Sequence, residues 1–193
     1  MTAKFPERLS RRDLHALQGE RLRDLLRETV PANPFWRSRF RSAGVQADHI
    51  RSLDDLTVLP LTTKADLAAD HAAHPPYGSN LTYDLTAYSR MHQTSGTTGR
   101  PMRWLDTPRS WDWFMECWAQ IFRIVGLRPE DRLAFPFSFG PFIGFWAAFE
   151  GANRLGNLCL SGGGMSSEAR LRMIEDNRAS IICCTPTYAL RLA

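Results

Sequence analysis

The second half of the chain alternates helix-like and strand-like segments, and this alternation constrains the fold more than any other feature. Helix-like segments start near residues 107, 140, 166 and 185. Short apolar segments separate them at residues 133–137, 157–160 and 179–184. Parallel strands need a crossover between them, usually a helix, so the pattern predicts an α/β fold with a helix-covered, mainly parallel sheet. The apolar run at 179–184 is typical of a strand buried on both faces.

The first part of the chain predicts a helical region instead. Helices are expected over residues 7–30, over residues 34–43 and after a cap at Thr62 or Thr63. Pro31 and Pro34 are expected to end the first helix, because the residue before a proline is biased away from the α region.

A loop rich in proline, glycine, serine and asparagine follows at residues 74–80. The sequence therefore predicts two parts: an N-terminal helical region at residues 1–80 and part of an α/β subdomain at residues 81–193. There is no internal repeat and no low-complexity tract to suggest any other organisation.

Charge and hydropathy limit the partners. The net charge is +4, and residues 1–51 carry 11 Lys and Arg against 6 Asp and Glu. The arginines of this segment are interleaved with acids at helical spacing, which favours a solvated helix face over a nucleic-acid surface. No apolar run reaches the roughly 18–20 residues that a membrane span needs, and no apolar h-region follows the first residues. A cytoplasmic protein without a nucleic-acid or membrane partner is expected.

The four cysteines are Cys117, Cys159, Cys183 and Cys184. None forms a CxxC pair, and the last two lie within an apolar run. This arrangement indicates reduced, buried thiols rather than a zinc site or disulfides, and no metal site is predicted.

A run of hydroxyl residues and glycines, TSGTTGRP at residues 94–101, is the candidate ligand loop. Glycine allows positive φ and a close backbone approach, while hydroxyls and backbone N–H groups can donate to an anion such as a polyphosphate. Arg100 adds a charge-assisted donor. Predicted strands flank the loop, and the GxxxxGK[ST] pattern is absent, so a P-loop NTPase is rejected. The loop alone is equally typical of an ordinary surface turn.

With its neighbours, the loop resembles the phosphate loop of the AMP-forming acyl-adenylate synthetase superfamily, and in particular of its phenylacetate–CoA ligase branch. The further segments that carry the resemblance lie at residues 33–36, 53–67, 126–131, 154–156 and 183–190. They occur in the order of the family and span almost the whole chain. Arginine stands at position 100, where lysine is commoner.

The resemblance implies a two-step reaction, in which a carboxylic acid and ATP give an acyl-adenylate and the thiol of coenzyme A then displaces AMP. ATP, Mg²⁺ and coenzyme A are the implied cofactors and substrates. The implied nucleotide contacts are the hydroxyls and N–H groups of the loop and the charge at its end: Thr94, Ser95, Gly96, Thr97, Thr98, Gly99 and Arg100.

A second segment, FPFSFGPFIG at residues 135–144, resembles the part of the family that shapes the acid pocket. The implied pocket residues are Phe137, Ser138, Phe139, Gly140 and Phe142. An aromatic wall suits an aryl acid. Phenylalanine stands at 137 and 139 where the branch often has tyrosine, which indicates a different or drier pocket than that for phenylacetate. The alternative is that these phenylalanines belong to the core.

His92 and the glycine turn at residues 161–164 each allow two interpretations. His92 is either part of the closed site or a structural residue at a strand end. The SGGG turn at residues 161–164 resembles a family turn near the substrate end of the sheet, but a plain turn explains it equally well.

The family enzyme is considerably longer, and its ribose-binding aspartate and adenylation lysine are expected beyond Ala193. The chain is therefore interpreted as the N-terminal part of an aryl- or related acid–CoA ligase, inactive alone, with an exposed sheet edge. A homodimer through the N-terminal helices is suggested by the resemblance. The alternatives are a non-catalytic nucleotide- or acid-binding remnant or partner subunit, and a synthetase that passes its acyl group to a carrier protein or reductase.

Overall fold

The structure, a computed structural model, describes residues 5–96 and 100–193. It divides into two compact units. The first runs to residue 91 and resumes over residues 96–107, and the second comprises residues 92–95 and 108–193. The first unit is mostly helical, whereas the second alternates helices and strands.

The first unit contains three α-helices and part of a two-stranded sheet. The helices are α1 (Arg11–Ala32), α2 (Pro34–Ser42) and α3 (Lys64–Ala73), and the strands are β1 (Arg90–Gln93) and β2 (Arg103–Asp106). Short 3₁₀ turns lie at Pro6–Arg8, Ala47–His49, Asp54–Val58 and Leu85–Ala87. The sequence predicts a strand over residues 87–92, but Ala87 belongs to the last of these turns and β1 starts three residues later than predicted, at Arg90.

Pro31 does not end α1, contrary to the sequence prediction. It lies inside the last turn, where a missing N–H removes one helical bond while the Asn33 N–H still reaches the Thr29 carbonyl at 2.8 Å. The helix ends at Asn33, which is extended and caps α2 through its side chain, with Pro34 at the first helical position. At α3, Thr63 and Asp66 form a reciprocal capping box.

The second unit is a parallel sheet with helical connections. Its elements are α4 (Pro108–Ile124), β3 (Arg132–Phe135), α5 (Ile143–Arg154), β4 (Leu158–Ser161), α6 (Ser167–Asp176), β5 (Ile181–Ile182) and α7 (Pro186–Leu192). The strand order is β4-β3-β5, and β3 is parallel to both neighbours. The predicted partial α/β fold is confirmed.

The core of the second unit lies against the central strand. Leu133, Ala134 and Phe135 of β3 are fully buried, and Phe122 of α4 and Ala152 of α5 pack with them. Gly151 of α5 allows the two helices to approach, because an added Cβ would lie 2.6 Å from the Cβ of Trp118. This core fixes β3, whose carboxyl end leads into the aromatic segment.

The predicted burial of β5 on both faces is wrong. The strand covers only two residues, and Ile182 is 45% exposed. Backbone bonds from the Ser180 N–H to the Arg132 carbonyl and from the Cys183 N–H to the Ala134 carbonyl extend the pairing with β3 by one residue on each side. Among the described residues, β5 is the last strand in the order β4-β3-β5 and forms an edge of the sheet.

The four cysteines, all within the described residues, form no disulfide and are partly buried. Burial raises the pKa of Cys159 to about 11 and also raises the pKa of Cys183, which lies beside Cys184. These two thiols are therefore held in the protonated, weakly reactive form. None of the described helices is long and apolar enough to cross a membrane.

Candidate nucleotide and acid site

The candidate phosphate loop lies between β1 and β2 rather than before a helix, as the sequence predicts. Gly96 has a φ of +69°, a conformation that a residue with a side chain rarely adopts, so the loop needs glycine there. Ser95 and Arg100 are exposed, and Thr94 is partly buried. The predicted contacts Thr97, Thr98 and Gly99 lie outside the described residues.

His92, at the end of β1, is packed inside the second unit. Its side chain is 4% exposed and stacks on Trp111 of α4, with ring centroids 5.0 Å apart and an interplanar angle of 18°. The Trp111 Nε1–H donates to Glu150 Oε2 at 2.7 Å. This stack favours the structural interpretation of His92, as a residue that fixes the entry to the loop rather than one exposed to a ligand.

The strand that enters the loop is also tied to the aromatic segment. The Gln93 N–H donates to the Pro141 carbonyl at 2.9 Å. Pro141 lies between Gly140 and Phe142, two of the predicted acid-pocket residues. Within the second unit, the beginning of the phosphate loop and the predicted acid pocket are therefore neighbours.

The aromatic segment forms a continuous set of ring contacts with α5. Phe137 stacks on Phe145 at a centroid distance of 4.1 Å. Phe139 packs on Trp146 at 4.8 Å and against the edge of Phe149 at 5.3 Å. The Trp146 Nε1–H donates to the Gly140 carbonyl at 2.8 Å and so pins the segment to the helix. The result is an apolar wall held in a defined shape.

The predicted pocket residues differ in exposure. Phe137 and Phe139 are partly buried and pack on the core of the unit, whereas Ser138, Gly140 and Phe142 are exposed. The core interpretation therefore fits the inner side of the wall, and the pocket interpretation can apply to its outer side. Its outer side carries a hydroxyl, a glycine backbone and one ring, a combination that could contact an aryl acid.

The SGGG turn follows β4 and lies against the end of β3. The Gly162 N–H donates to the Phe135 carbonyl at 3.0 Å, and an added Cβ at Gly162 would lie 3.0 Å from the Cα of Pro136. An added Cβ at Gly163 would lie 3.8 Å from Cδ2 of Phe139. The structure therefore places this turn beside the aromatic wall.

Arg170 and Tyr188, which were not singled out from the sequence, hold the turn. Arg170 Nε donates to the Gly162 carbonyl at 2.8 Å, and its Nη1 donates to the Tyr188 hydroxyl at 2.7 Å. The Ser167 hydroxyl, 3.0 Å away, and then Arg170 lower the pKa of Tyr188. The signal available in the sequence was the position of Tyr188 in the last family-like segment.

Cavities and possible metal ligands are the remaining candidates for a site. A cleft of about 670 Å³ in the first unit is lined by residues of α2, α3 and neighbouring loops, including Phe35, Arg39 and Asp70, and none of the predicted site residues lines it. Within residues 5–96 and 100–193, no group of three or more His, Cys, Asp or Glu side chains could hold a metal ion.

Comparisons with solved structures define the class of protein. The chain aligns with a crystal structure of 2-hydroxyisobutyryl-CoA ligase in complex with 2-HIB-AMP and CoA at a TM-score of 0.88 and 28% identity, over 95% of this chain and 39% of that one. A structure of the same ligase in the postadenylation state with 2-HIB-AMP gives a TM-score of 0.87 and 26% identity over the same shares. The fold is that of part of an adenylate-forming CoA ligase.

No protein-family model matches the chain, but curated enzymes with similar sequences share one name. Phenylacetate-coenzyme A ligase of Thermus thermophilus is 35% identical over 187 residues, which cover 97% of this chain and 41% of that protein. The Escherichia coli K12 enzyme of the same name is 33% identical over 180 residues, covering 93% and 40%. Over almost its whole length the chain is similar to phenylacetate–coenzyme A ligases, and it spans about 40% of the length of these relatives.

Proposed function

We propose that the chain is part of an ATP-dependent, AMP-forming acid–CoA ligase. The carboxylate of the acid attacks the α-phosphate of ATP and releases pyrophosphate, giving an acyl-adenylate. The thiol of coenzyme A then attacks the acyl carbon and releases AMP, giving a thioester. Similarity supports this chemistry, since the curated relatives are named as coenzyme A ligases and a structural neighbour was crystallised with 2-HIB-AMP and CoA.

The single observation that carries the proposal is the hydrogen bond from the Gln93 N–H to the Pro141 carbonyl. It joins the strand that enters the phosphate loop to the segment that carries the aromatic wall. An adenylation site needs the acid and the polyphosphate close together, because the reaction depends on positioning the attacking carboxylate near the α-phosphate. Within the second unit, this bond holds the start of the loop next to the aromatic segment, which supports an adenylation site there.

The phosphate contacts are assigned to the loop. Thr94 and Ser95 supply hydroxyls, and Gly96 with its positive φ lets the backbone turn its N–H groups towards an anion. Thr97, Thr98, Gly99 and Arg100 complete the proposed set by sequence. The donors of this set fit a polyphosphate, and Mg²⁺ is proposed to bind with ATP, because this ion is usually held largely by substrate phosphates and water.

The acid contacts are assigned to the aromatic wall. Ser138, Gly140 and Phe142 form its outer side, and the partly buried Phe137 and Phe139 complete the proposed set from behind them. A wall built from stacked phenylalanines offers apolar surface and few polar partners, so the acid is proposed to be aromatic. The chain is proposed to be inactive alone, since the implied adenylation lysine and ribose-binding aspartate belong to the portion of the family beyond the segment that it spans.

The test is acid-dependent exchange of pyrophosphate into ATP by the longer protein that contains this chain, with a panel of carboxylic acids. Replacing Thr97 and Thr98 by alanine should lower the exchange rate by about 100-fold or more, the usual cost of removing donors that stabilise a transition state. Thr57→Ala, at an exposed threonine of the first unit, is the matched control and should leave the rate unchanged. An unchanged rate in the double variant would refute the phosphate-loop assignment.

The same assay separates the alternatives. Exchange followed by thioester formation with coenzyme A supports the ligase. Exchange without transfer to coenzyme A would instead indicate an adenylating enzyme that uses a carrier protein or reductase. Binding of ATP or of the acid without exchange would indicate a non-catalytic remnant or partner subunit.

A further inference from the structure

We propose that Arg170 and Tyr188 are positioning residues that set the acid specificity of the site, by holding the glycine turn at residues 161–164 against the aromatic wall. The proposal rests on the proposed function. It assigns to these two side chains a role in the binding of the acid and none in the binding of ATP.

The turn is the first element of the argument, because it reaches the proposed pocket through its backbone alone. Gly162 is buried and hydrogen-bonded to Phe135, at the point where β3 passes into the aromatic segment. An added Cβ at Gly163 would lie 3.7 Å from the Phe137 carbonyl oxygen and 3.8 Å from Cδ2 of Phe139, in ordinary van der Waals contact. A small displacement of the turn would therefore change the space beside the Phe137 backbone and the Phe139 ring.

The second element is the side chain that holds the turn. Arg170 Nε donates to the Gly162 carbonyl at 2.8 Å, while the only other bond to this oxygen within the described residues, from the Met165 N–H, is long at 3.4 Å. A planar guanidinium offers donors in a fixed fork, so its orientation determines where the carbonyl oxygen lies. Arg170 is thus the stronger of the two contacts that fix Gly162 on this side.

Tyr188 fixes the orientation of that fork. Its hydroxyl accepts from Arg170 Nη1 at 2.7 Å, lies 3.0 Å from the Ser167 hydroxyl, and its ring lies under the guanidinium at 5.4 Å. The hydrogen bond uses the hydroxyl of Tyr188 and the other contact uses its ring, so the two together restrain the position of the guanidinium. The group connects α6 and α7 to the turn.

These residues are placed to tune a site rather than to hold the fold. Arg170 and Tyr188 are both partly exposed, and neither belongs to the apolar clusters around β3 and α5. Neither contacts the predicted phosphate loop through any bond given for the described residues. We therefore expect their replacement to change the affinity for the acid more than the stability of the protein or the affinity for ATP.

The experiment uses the full-length ligase, with benzoate, phenylacetate and 3-phenylpropionate as acids of increasing length. Arg170→Lys keeps the positive charge but lacks the planar fork that bonds both the Gly162 carbonyl oxygen and the Tyr188 hydroxyl oxygen. It should raise KM for the best acid about tenfold, as for the loss of one charge-assisted hydrogen bond, and change the ranking of the three acids. KM for ATP should change by less than about twofold.

Tyr188→Phe removes one oxygen and retains the ring, so it guards against a result caused by misfolding. It should change the ranking of the acids in the same direction, with an effect of about threefold on KM. Arg172→Gln is the matched control on α6, since Arg172 is exposed and pairs only with Glu168 among the described residues. This control should leave both KM values unchanged.

The outcomes separate this inference from the proposed function. If the unmodified ligase adenylates acids but Arg170→Lys and Tyr188→Phe leave acid KM and ranking unchanged, the positioning role is refuted while the proposed function stands. Equal changes in KM for acid and for ATP would also refute it, because they would indicate a general disturbance. If the unmodified ligase activates no acid on a wide panel, both proposals fail.

Discussion

The two units of the chain are stabilised in different ways. In the second, the central strand is fully buried, and Leu133 and Phe135 lie in an apolar cluster with α4 and α5. In the first, the buried cluster is small, with Leu26, Phe40 and Ile50 at its centre. Much of the first unit is instead connected by side-chain hydrogen bonds, such as the one from the buried Asn33 to Asn80.

Apolar packing in one unit and polar hydrogen bonds in the other suit the segments that each unit has to hold in place. The aromatic wall of the second unit needs a rigid base, and close-packed apolar residues provide one because they leave few alternative arrangements. The first unit contains long connections after α2 and after α3, and polar side chains fix such segments by satisfying their backbone and side-chain groups individually. Apolar truncations should therefore harm the second unit most, and polar ones the first.

The largest expected effect is that of Leu133→Ala. It should lower the free energy of unfolding of the second unit by about 4 kcal/mol, because a fully buried leucine leaves a cavity in addition to the lost transfer energy. Leu26→Ala should cost the first unit about 2.5 kcal/mol, since its cluster is smaller and can collapse around the gap. Urea unfolding, with hydrogen exchange to assign each loss to its unit, measures both values.

The controls for this pair are leucines on the same elements or sheet. Leu25 on α1 is 57% exposed and Leu158 on β4 is 56% exposed, so their replacement by alanine should cost little. Equal losses at positions 133 and 26 would contradict the proposed difference between the units.

The next effect concerns the polar side of the comparison. Asn33→Ala should cost the first unit about 2 kcal/mol, because it removes the cap of α2 and the bonds from Nδ2 to Asn80 and Thr82. Asn33→Ser keeps a capping oxygen and should recover about half of the loss. Thermal and urea unfolding of both variants test this. If serine and alanine are equally destabilising, the cap contributes nothing.

The smallest effect is expected at Asp131, a polar exception in the second unit. The Arg128 N–H and the Ser180 hydroxyl hold the pKa of this carboxyl below its ordinary value. The stabilisation is therefore complete above the unfolded pKa and is lost as the pH falls through the lower folded pKa. Asp131→Asn should lower Tm by a few degrees at pH 7, with the difference narrowing below about pH 4.

This prediction is checked by Tm measurements of both proteins between pH 3 and pH 7. Asparagine retains one carbonyl oxygen, which is why the loss is small. A difference in Tm that stays constant over the whole range would show that the charge of Asp131 contributes nothing to stability.

Local signals were sufficient for much of the fold. Ser166 caps α6, Pro108 starts α4, and the glycine loop lies between two strands, all as the residues indicate. The resemblance to phenylacetate–CoA ligases was also predicted from the ordered segments, and it is confirmed. The exposure of Ile182 was not predictable from its neighbours, because burial depends on which elements cover a strand rather than on its composition.

The candidate site was predicted by residue but not by contact. The bond between Gln93 and Pro141 joins two backbone groups, so the types of the two residues do not predict it. The bond from Arg170 to Gly162 depends on the path of a turn, and the stack of His92 on Trp111 depends on where α4 lies. Such contacts follow from tertiary structure alone. The contacts of individual site residues with ligands, the homodimer and the cytoplasmic location stay predictions.

The order of the sheet has a consequence for how the protein forms during synthesis. Arg132 of β3 pairs with Leu158, and Leu133 pairs with Ile181, so the central strand finds both partners later in the chain. When β3 leaves the ribosome, it has no strand to bind and exposes its most apolar residues. The pairing must wait for α5 and β4, and then for β5, which makes this strand a natural target for a chaperone in the interval.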